Sequence, residues 1–420
     1  MRKGLTHIIA LAALFVAAGA SAQPIVTGFV EANQVVRVQE NDALGDGAIG
    51  DRTYPRSELR AQMKLQEYSD RGQLFIRADF VSDAVASDRS HVDLREAYVK
   101  TTLFDWLDVK IGRQVATWGT GDLIFANDLF AKDWRAFFSG LDDTYLKPPQ
   151  DLLRLTAYVN GLTLEVALSP YFTPDNLPDG TRLSVFNPFM NATVGAQQAP
   201  PIFRPVKTLR NGEGFGRVSG YSGSYEWALY GYKGFWPTPQ AFTPDGVLYY
   251  PRLWSAGGSL RGPIGSYLLH AEAAAYISQD DTDGDNPFIA NSQIRGFIGL
   301  DRSLANEWTV GVQYYGEYML DHDLYLMGIP PGGPTFDELR STVTARIHKF
   351  MRNQTVEMQL FGYWGLSDED WHVRPEASYK VTQAIKWTVG ASLIDGEDNH
   401  TMFGQFRDNS NVFTRVRYSF

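Results

Sequence analysis

Short runs in which apolar and polar residues alternate, joined by connections that are brief and long in turn, constrain this chain more than any other feature. Leu59, Ala61, Met63 and Leu65 alternate with Glu58, Arg60, Gln62 and Lys64, and Trp308, Val310, Val312 and Tyr314 alternate with Thr309, Gly311 and Gln313. A strand turns successive side chains to opposite faces, so a period of two with one apolar face predicts a sheet with one side suited to lipid or core. The pattern recurs from Ile25–Gln39 through Leu107–Trp118 and Leu248–Leu260 to Asn411–Phe420. It predicts about 18 strands, an even number within the range of bacterial membrane barrels.

The connections give an independent reading. Ser69-Asp70-Arg71-Gly72, Asn160-Gly161, Ser222-Gly223-Ser224 and Arg352-Asn353 have the composition of tight turns, and longer segments such as Glu40–Arg56, Gly119–Asp151, Phe172–Gly214 and Asp321–Asp337 lie between them. Outer-membrane barrels keep short turns on the periplasmic side and long loops outside, whereas a sandwich or propeller has no reason to hold that parity. The last run places Val412, Thr414, Val416, Tyr418 and Phe420 on one face and ends on an aromatic. Trp227, Trp236, Trp254, Trp308, Trp364, Trp371 and Trp387 fall near predicted strand ends, where interfacial girdles sit. The expected fold is all-β, a single transmembrane antiparallel β-barrel over residues 23–420, with short periplasmic turns and long extracellular loops.

The first residues agree with that destination. Arg2 and Lys3 precede an apolar run from Ile8 to Ala18, and Ala20-Ser21-Ala22 supplies a small-x-small site, so residues 1–22 read as a cleavable signal peptide. No later apolar stretch reaches the ~20 residues that a spanning helix needs. The chain has no cysteine, which fits an oxidising route and excludes thiolate metal sites and cysteine nucleophiles. With a net charge of -10 and no basic tract, nothing points to nucleic acid.

If the apolar face meets lipid, the opposite face lines the interior. That parity assigns Arg60, Lys64, Arg77, Arg154, Arg217, Arg295, Arg340, Arg346, Arg374, Lys386, Arg415 and Arg417 to the wall. With them come Glu58, Asp79, Glu96, Glu165, Glu226, Glu272, Glu317, Glu357 and Glu376. Charges inside a barrel must be paired or hydrated. The wall therefore reads either as cross-strand ion pairs or as an arginine ladder, whose planar forks suit carboxylate and phosphate oxygens. After the fifth strand, Gly119 and Gly121 let the backbone leave sharply, and Leu123–Arg135 mixes apolar anchors with charges. A connection of this length inside a compact fold is commonly functional. Residues 119–151 are thus the expected constriction loop, folded into the barrel with Asp128, Lys132, Asp133 and Arg135 near its narrowest point. Asp281, Asp283 and Asp285 flank Gly284 but lack the closing Glu of a calcium loop, and read as a solvated connection.

Leu94-Arg95-Glu96-Ala97-Tyr98-Val99, followed by Val109-Lys110-Ile111-Gly112-Arg113-Gln114 and Trp118-Gly119, resembles a hairpin of alginate-export-type and related porin-like outer-membrane proteins. The resemblance covers about a tenth of the chain and implies one large barrel of similar strand number that passes polar or anionic molecules. Parity turns Arg113 toward lipid unless Gly112 marks a bulge that re-aims it, and Arg95 poses the same question. The family's Gly-Arg pair before an inward loop implies the lumen, so both are pore candidates.

The function that follows is a channel for small polar solutes with some preference for anions. Export of an acidic polysaccharide is an alternative, although the acids interleaved on the wall argue against a purely basic conduit. A structural barrel around a periplasmic or surface partner is another. His270 beside Glu272 is the one suggestive catalytic pair, and no motif-bearing Ser accompanies it, so neither an enzyme nor a cofactor is expected. The expected partners are outer-membrane lipid and lipopolysaccharide, the barrel-assembly machinery and a small polar solute, with a homo-oligomer left open.

Overall fold

The computed structural model describes residues 23–44, 53–69, 72–86, 89–329, 331 and 333–420. The signal-peptide reading, Asp70 and Arg71 of the first tight turn, and residues 45–52 of the Glu40–Arg56 connection lie outside the described residues.

Eighteen strands form one antiparallel sheet closed on itself. In chain order they are β1 (Ile25–Arg37), β2 (Arg56–Ser69), β3 (Gly72–Asp83), β4 (Ser90–Phe104), β5 (Leu107–Gln114) and β6 (Gln150–Val159). Then come β7 (Leu162–Ser169), β8 (Glu213–Ser222), β9 (Tyr225–Phe235), β10 (Arg252–Ile264), β11 (Tyr267–Ser278) and β12 (Gln293–Leu304). The ring is completed by β13 (Trp308–Met319), β14 (Leu339–Met351), β15 (Val356–Gly365), β16 (Asp370–Lys380), β17 (Ile385–Gly396) and β18 (Asn411–Ser419). Each strand pairs with its chain neighbours, and β18 returns to β1 in register from Phe29↔Ser419 to Arg37↔Asn411. Closure removes the unpaired edge that an open sheet would expose.

Tight and long connections alternate as the turn residues imply. Asn160 and Gly161 both take positive φ, 50° and 81°, the two-residue geometry that matches strand twist in a hairpin. Long connections leave the opposite rim. Two links on that rim are short, residues 84–89 between β3 and β4 and the four-residue turn Leu366–Glu369 between β15 and β16, but both keep the side.

The alternation is turned inside out relative to a soluble protein. On β7, Leu164, Val166 and Leu168 are exposed while Glu165 and Ala167 are buried. On β12, Ile294, Ile298 and Leu300 are exposed, and on β18 so are Val412, Val416 and Tyr418. An apolar band facing outward with charges facing inward is the arrangement of a barrel immersed in lipid. No helix among the described residues is long and apolar enough to cross a membrane.

Most strand bounds fall within two residues of the sequence expectation, and two strands depart by four. β5 ends at Gln114, not at Trp118, because the chain turns inward there and Trp118 packs on Phe130 and Phe215. β10 runs from Arg252 to Ile264, while Leu248 and Tyr249 pair with Ile202 and Phe203 in a small loop sheet. Trp236 is not a girdle residue: it is buried against Tyr276 inside the barrel.

Placing a charge in the outer band tests this orientation. Ile298→Arg, in the middle of β12, is expected to cost about 2–4 kcal/mol of stability in a bilayer. Urea titration of the barrel in vesicles measures it, and an unchanged midpoint would contradict a lipid-facing Ile298.

Candidate functional site: an inward loop stapled across the lumen

Residues 115–149, between β5 and β6, do not project from the rim. The segment first runs along the inner faces of β8 and β9, where Trp118 and Phe130 pack on Phe215 and Trp118 on Tyr230. It then reaches the far wall. The Glu272 carboxylate on β11 accepts from the Thr120 amide, from the Asn127 amide at 3.1 Å and from the Asn127 side chain at 2.9 Å. Gln313 on β13 acts as a strand neighbour would: its amide oxygen accepts from Asp122 N–H and its NH2 donates to Asp122 C=O, both at 2.9 Å. The Arg346 guanidinium grips the Asp122 carboxylate with two contacts of 2.5 and 2.6 Å. Hydroxyls of Tyr276 and Tyr363 donate to the Ala126 and Leu123 carbonyls.

Two glycines make this approach possible. Gly119 has φ +84°, and a Cβ there would stand 2.8 Å from a Glu272 carboxylate oxygen. At Gly257 on β10 a Cβ would meet the Asn127 side-chain oxygen at 2.0 Å. A larger residue at either site would displace the loop.

The returning half circles the remaining wall. A short helix, Trp134–Phe138, is capped by Asp133, whose carboxylate accepts from Ala136 N–H at 2.8 Å. Phe137 and Phe138 pack around the buried His372 of β16. Asn411 on β18 donates to Phe138 C=O at 2.9 Å, and Arg56 on β2 donates to the Ser139 hydroxyl at 2.9 Å. Arg374 pairs with Asp143 at 2.5 Å and Arg417 with Asp142 at 3.2 Å. Burial raises the Asp142 carboxyl, but Arg415 and Arg417 outweigh it and hold the group below its ordinary range. Tyr145 donates to Asp79 at 2.7 Å and lies under the Arg60 guanidinium.

The arginines expected on the wall do face inward, and most are engaged. Arg60 bridges Glu58 and Asp79 at 2.7 and 2.6 Å. Arg77 pairs with Glu96 at 3.0 Å. Arg154 and Arg217 share Glu165. Arg295 lies 3.5 Å from Glu317, and Arg415 lies 2.6 Å from Glu376. Buried ions need such partners; these sit on the same or nearby strands, whereas Arg346, Arg374 and Arg417 reach carboxylates of the loop.

Three expectations for individual residues change. Asp128 and Lys132, expected at the narrowest point, are buried within the loop itself. They pair at 3.2 Å, and the ammonium also donates to the Phe130 carbonyl at 2.6 Å. Of the four loop charges, Arg135 is the exposed one, 3.3 Å from Asp179 of the loop between β7 and β8. The third change separates Arg95 from Arg113. A register shift opposite Arg77 and Ala78 makes Arg95 a bulge residue and turns it inward, where it donates to Lys147 C=O at 2.9 Å. Arg113 stays in the row of Ala97 and Asp151, the outer parity of the exposed Ile111. Gly112 takes φ +125° without shifting that register. Arg113 therefore belongs to the outer face, 3.5 Å from Asp151 and donating to Leu94 C=O at 2.7 Å.

Below the loop, toward the short turns, two lysines face the lumen. Lys64 and Lys110 are half-buried and make no ion pair among the described residues. The Lys110 ammonium rests 3.7 Å from the Tyr98 ring centre. Arg77, Arg154 and Arg217 stand on the same wall, but they are paired with Glu96, Glu165 and Glu226.

A second loop locks the first from above. Asp175 accepts from Lys132 N–H at 2.8 Å and from the Trp134 indole at 2.7 Å, and Asn176 donates to Asp133 at 2.9 Å. Burial drives the Asp175 carboxyl up to about 6, against the pull of Lys132.

The architecture is that of an 18-stranded membrane barrel with a loop folded into its lumen. Neither a family model nor a curated protein matches the chain by sequence. Solved structures match it in fold. Acinetobacter baumannii OccAB4 superposes with a TM-score of 0.56 at 11% identity over 95% of this chain and 98% of that one. Pseudomonas aeruginosa OccD3 (OpdP) gives 0.55 at 9% identity over 96% and 92%. Pseudomonas aeruginosa OccK2 (OpdF) in complex with glucuronate gives 0.52 at 11% identity over 94% and 98%.

Two outcomes follow from the staples. Glu272→Ala with Gln313→Ala leaves several loop amides unpaired, at roughly 1–3 kcal/mol each. Limited proteolysis of the folded barrel should then cut within residues 120–127, while the native chain stays intact; equal resistance would contradict the docking. For Asp175 the folded carboxyl titrates above its unfolded value, so the folded state binds more protons between about pH 4 and 6. Stability contributed by this latch falls as pH rises through that window. The unfolding midpoint should drop more between pH 5 and 7.5 in the native chain than in Asp175→Asn, and identical profiles would refute the assignment.

Proposed function

We propose that the protein is an outer-membrane porin that passes small polar solutes, with anions favoured, past the loop of residues 115–149. The observation that carries this reading is the pair Lys64 and Lys110, two cations on the lumen wall that make no ion pair among the described residues. Elsewhere the wall commits its arginines to carboxylates, so these lysines set the sign of the field that a solute meets. The fold supports it too: its neighbours include OccAB4, OccD3 and OccK2, the last crystallised in complex with the carboxylate sugar glucuronate.

Export of an acidic polysaccharide is the weaker reading. A stapled loop across the lumen occupies space that a polymer would have to thread, and the resemblance to alginate-export-type proteins stays confined to one hairpin. A hydrolytic site is not supported either, since Glu272 is committed to the loop and His270 faces Asp301 at 3.4 Å.

The test is ion selectivity in a planar bilayer. The native channel should prefer chloride over potassium, and Lys64→Glu with Lys110→Glu should move the reversal potential toward cation preference. A correctly folded barrel without conductance, or a selectivity indifferent to both lysines, would overturn the reading.

A further inference from the structure

The long connection between β7 and β8 ends in a segment that the channel does not use. Residues 199–212 read Ala-Pro-Pro-Ile-Phe-Arg-Pro-Val-Lys-Thr-Leu-Arg-Asn-Gly, with three basic residues and no acid. Phe203, Val206 and Leu209 recur every third residue, and each is followed at once by a cation, Arg204, Lys207 or Arg210. All six are exposed, and the apolar three reach 62%, 64% and 84%. Exposure of this kind on a loose loop would mean little, but the segment is held. Ile202 and Phe203 pair with Leu248 and Tyr249, Asn211 donates to Val206 C=O at 3.0 Å, and three prolines fix φ along it.

Its position is at the outer rim. The Lys207 ammonium lies 4.7 Å from the Tyr171 ring centre, and the Tyr171 hydroxyl donates to Asp151, which pairs with the outward Arg113. The segment leads through Gly212 into β8, beside β7, whose exposed Leu164, Val166 and Leu168 belong to the outward apolar band. Arg204, Lys207 and Arg210 make no ion pair among the described residues. Elsewhere the long connections are acidic, as at Asp280, Asp281, Asp283 and Asp285, or Asp321 and Asp323.

Building on the outer-membrane reading, we propose that this strap is a docking site for a phosphorylated glycolipid of the outer leaflet, the lipid A part of lipopolysaccharide. An apolar edge at the top of the lipid band would enter the acyl region, and the adjoining cations would meet the headgroup phosphates. Charge complementarity selects this occupant. A second copy of the chain would bring the same three cations, and a neutral lipid would leave them without partners.

Binding of purified lipid A to the folded full-length barrel in a neutral maltoside detergent tests the proposal, with native mass spectrometry counting retained lipid. Folding of each variant is checked by heat-modifiable gel mobility. Arg204→Gln, Lys207→Gln and Arg210→Gln together should weaken binding at least about 10-fold, and lipid A stripped of its phosphates should bind the native barrel equally weakly. Val206→Ser with Leu209→Ser should weaken both lipids. Equal binding of the phosphorylated and stripped lipids, or a charge variant within about two-fold of native, overturns the proposal. The same charge variant should keep native conductance in a phosphatidylcholine bilayer, so failure of the docking site and failure of the channel reading are read separately.

Discussion

A loop that leaves the rim and crosses the inside of a barrel carries backbone donors and acceptors that no strand pairs, and the rest of this interior is arranged to satisfy them. Leaving such groups buried and unpaired is costly. Glu272 takes two amides and a side chain, Gln313 imitates a neighbouring strand, and Tyr276 and Tyr363 reach carbonyls. The arginines answer the loop's carboxylates in the same way, Arg346 at Asp122 and Arg374 at Asp143. Wall and loop therefore form one polar network.

That network explains why an arginine-rich wall need not be an arginine-rich pore. Guanidinium groups suit bidentate, geometrically defined pairing, and here they are used mainly to hold structure. Lysine, a flexible point charge, makes no ion pair at Lys64 and Lys110 among the described residues. On the proposed reading, this division of labour leaves the two lysines to set the selective charge, in a molecule whose net charge is -10.

The strands were legible because their signal is local: period two, turn residues and alternating connection lengths all survive in one dimension. The inward loop was legible in outline, from Gly119, Gly121 and the mixture of anchors and charges after them. Its internal arrangement was not. Nothing along the chain distinguishes an Asp128–Lys132 pair buried within the loop from one lining a bore, because only the three-dimensional path decides which side of the loop faces open space. Parity was the right guide for Arg113 and the wrong one for Arg95. A one-residue bulge re-aims a side chain, and the bulge opposite Arg77 and Ala78 leaves no mark in the sequence. Glu272 was visible as a wall residue, but its partners Thr120 and Asn127 lie about 150 positions away.

The most direct test of the stapled loop is amide hydrogen exchange of residues 118–147 in the folded barrel held in a lipid nanodisc. The docked network predicts that the amides of Thr120, Asp122, Asn127 and Lys132 exchange slowly, at rates close to those of the strand amides. Exchange of these four within seconds, alongside protected strands, would contradict the account.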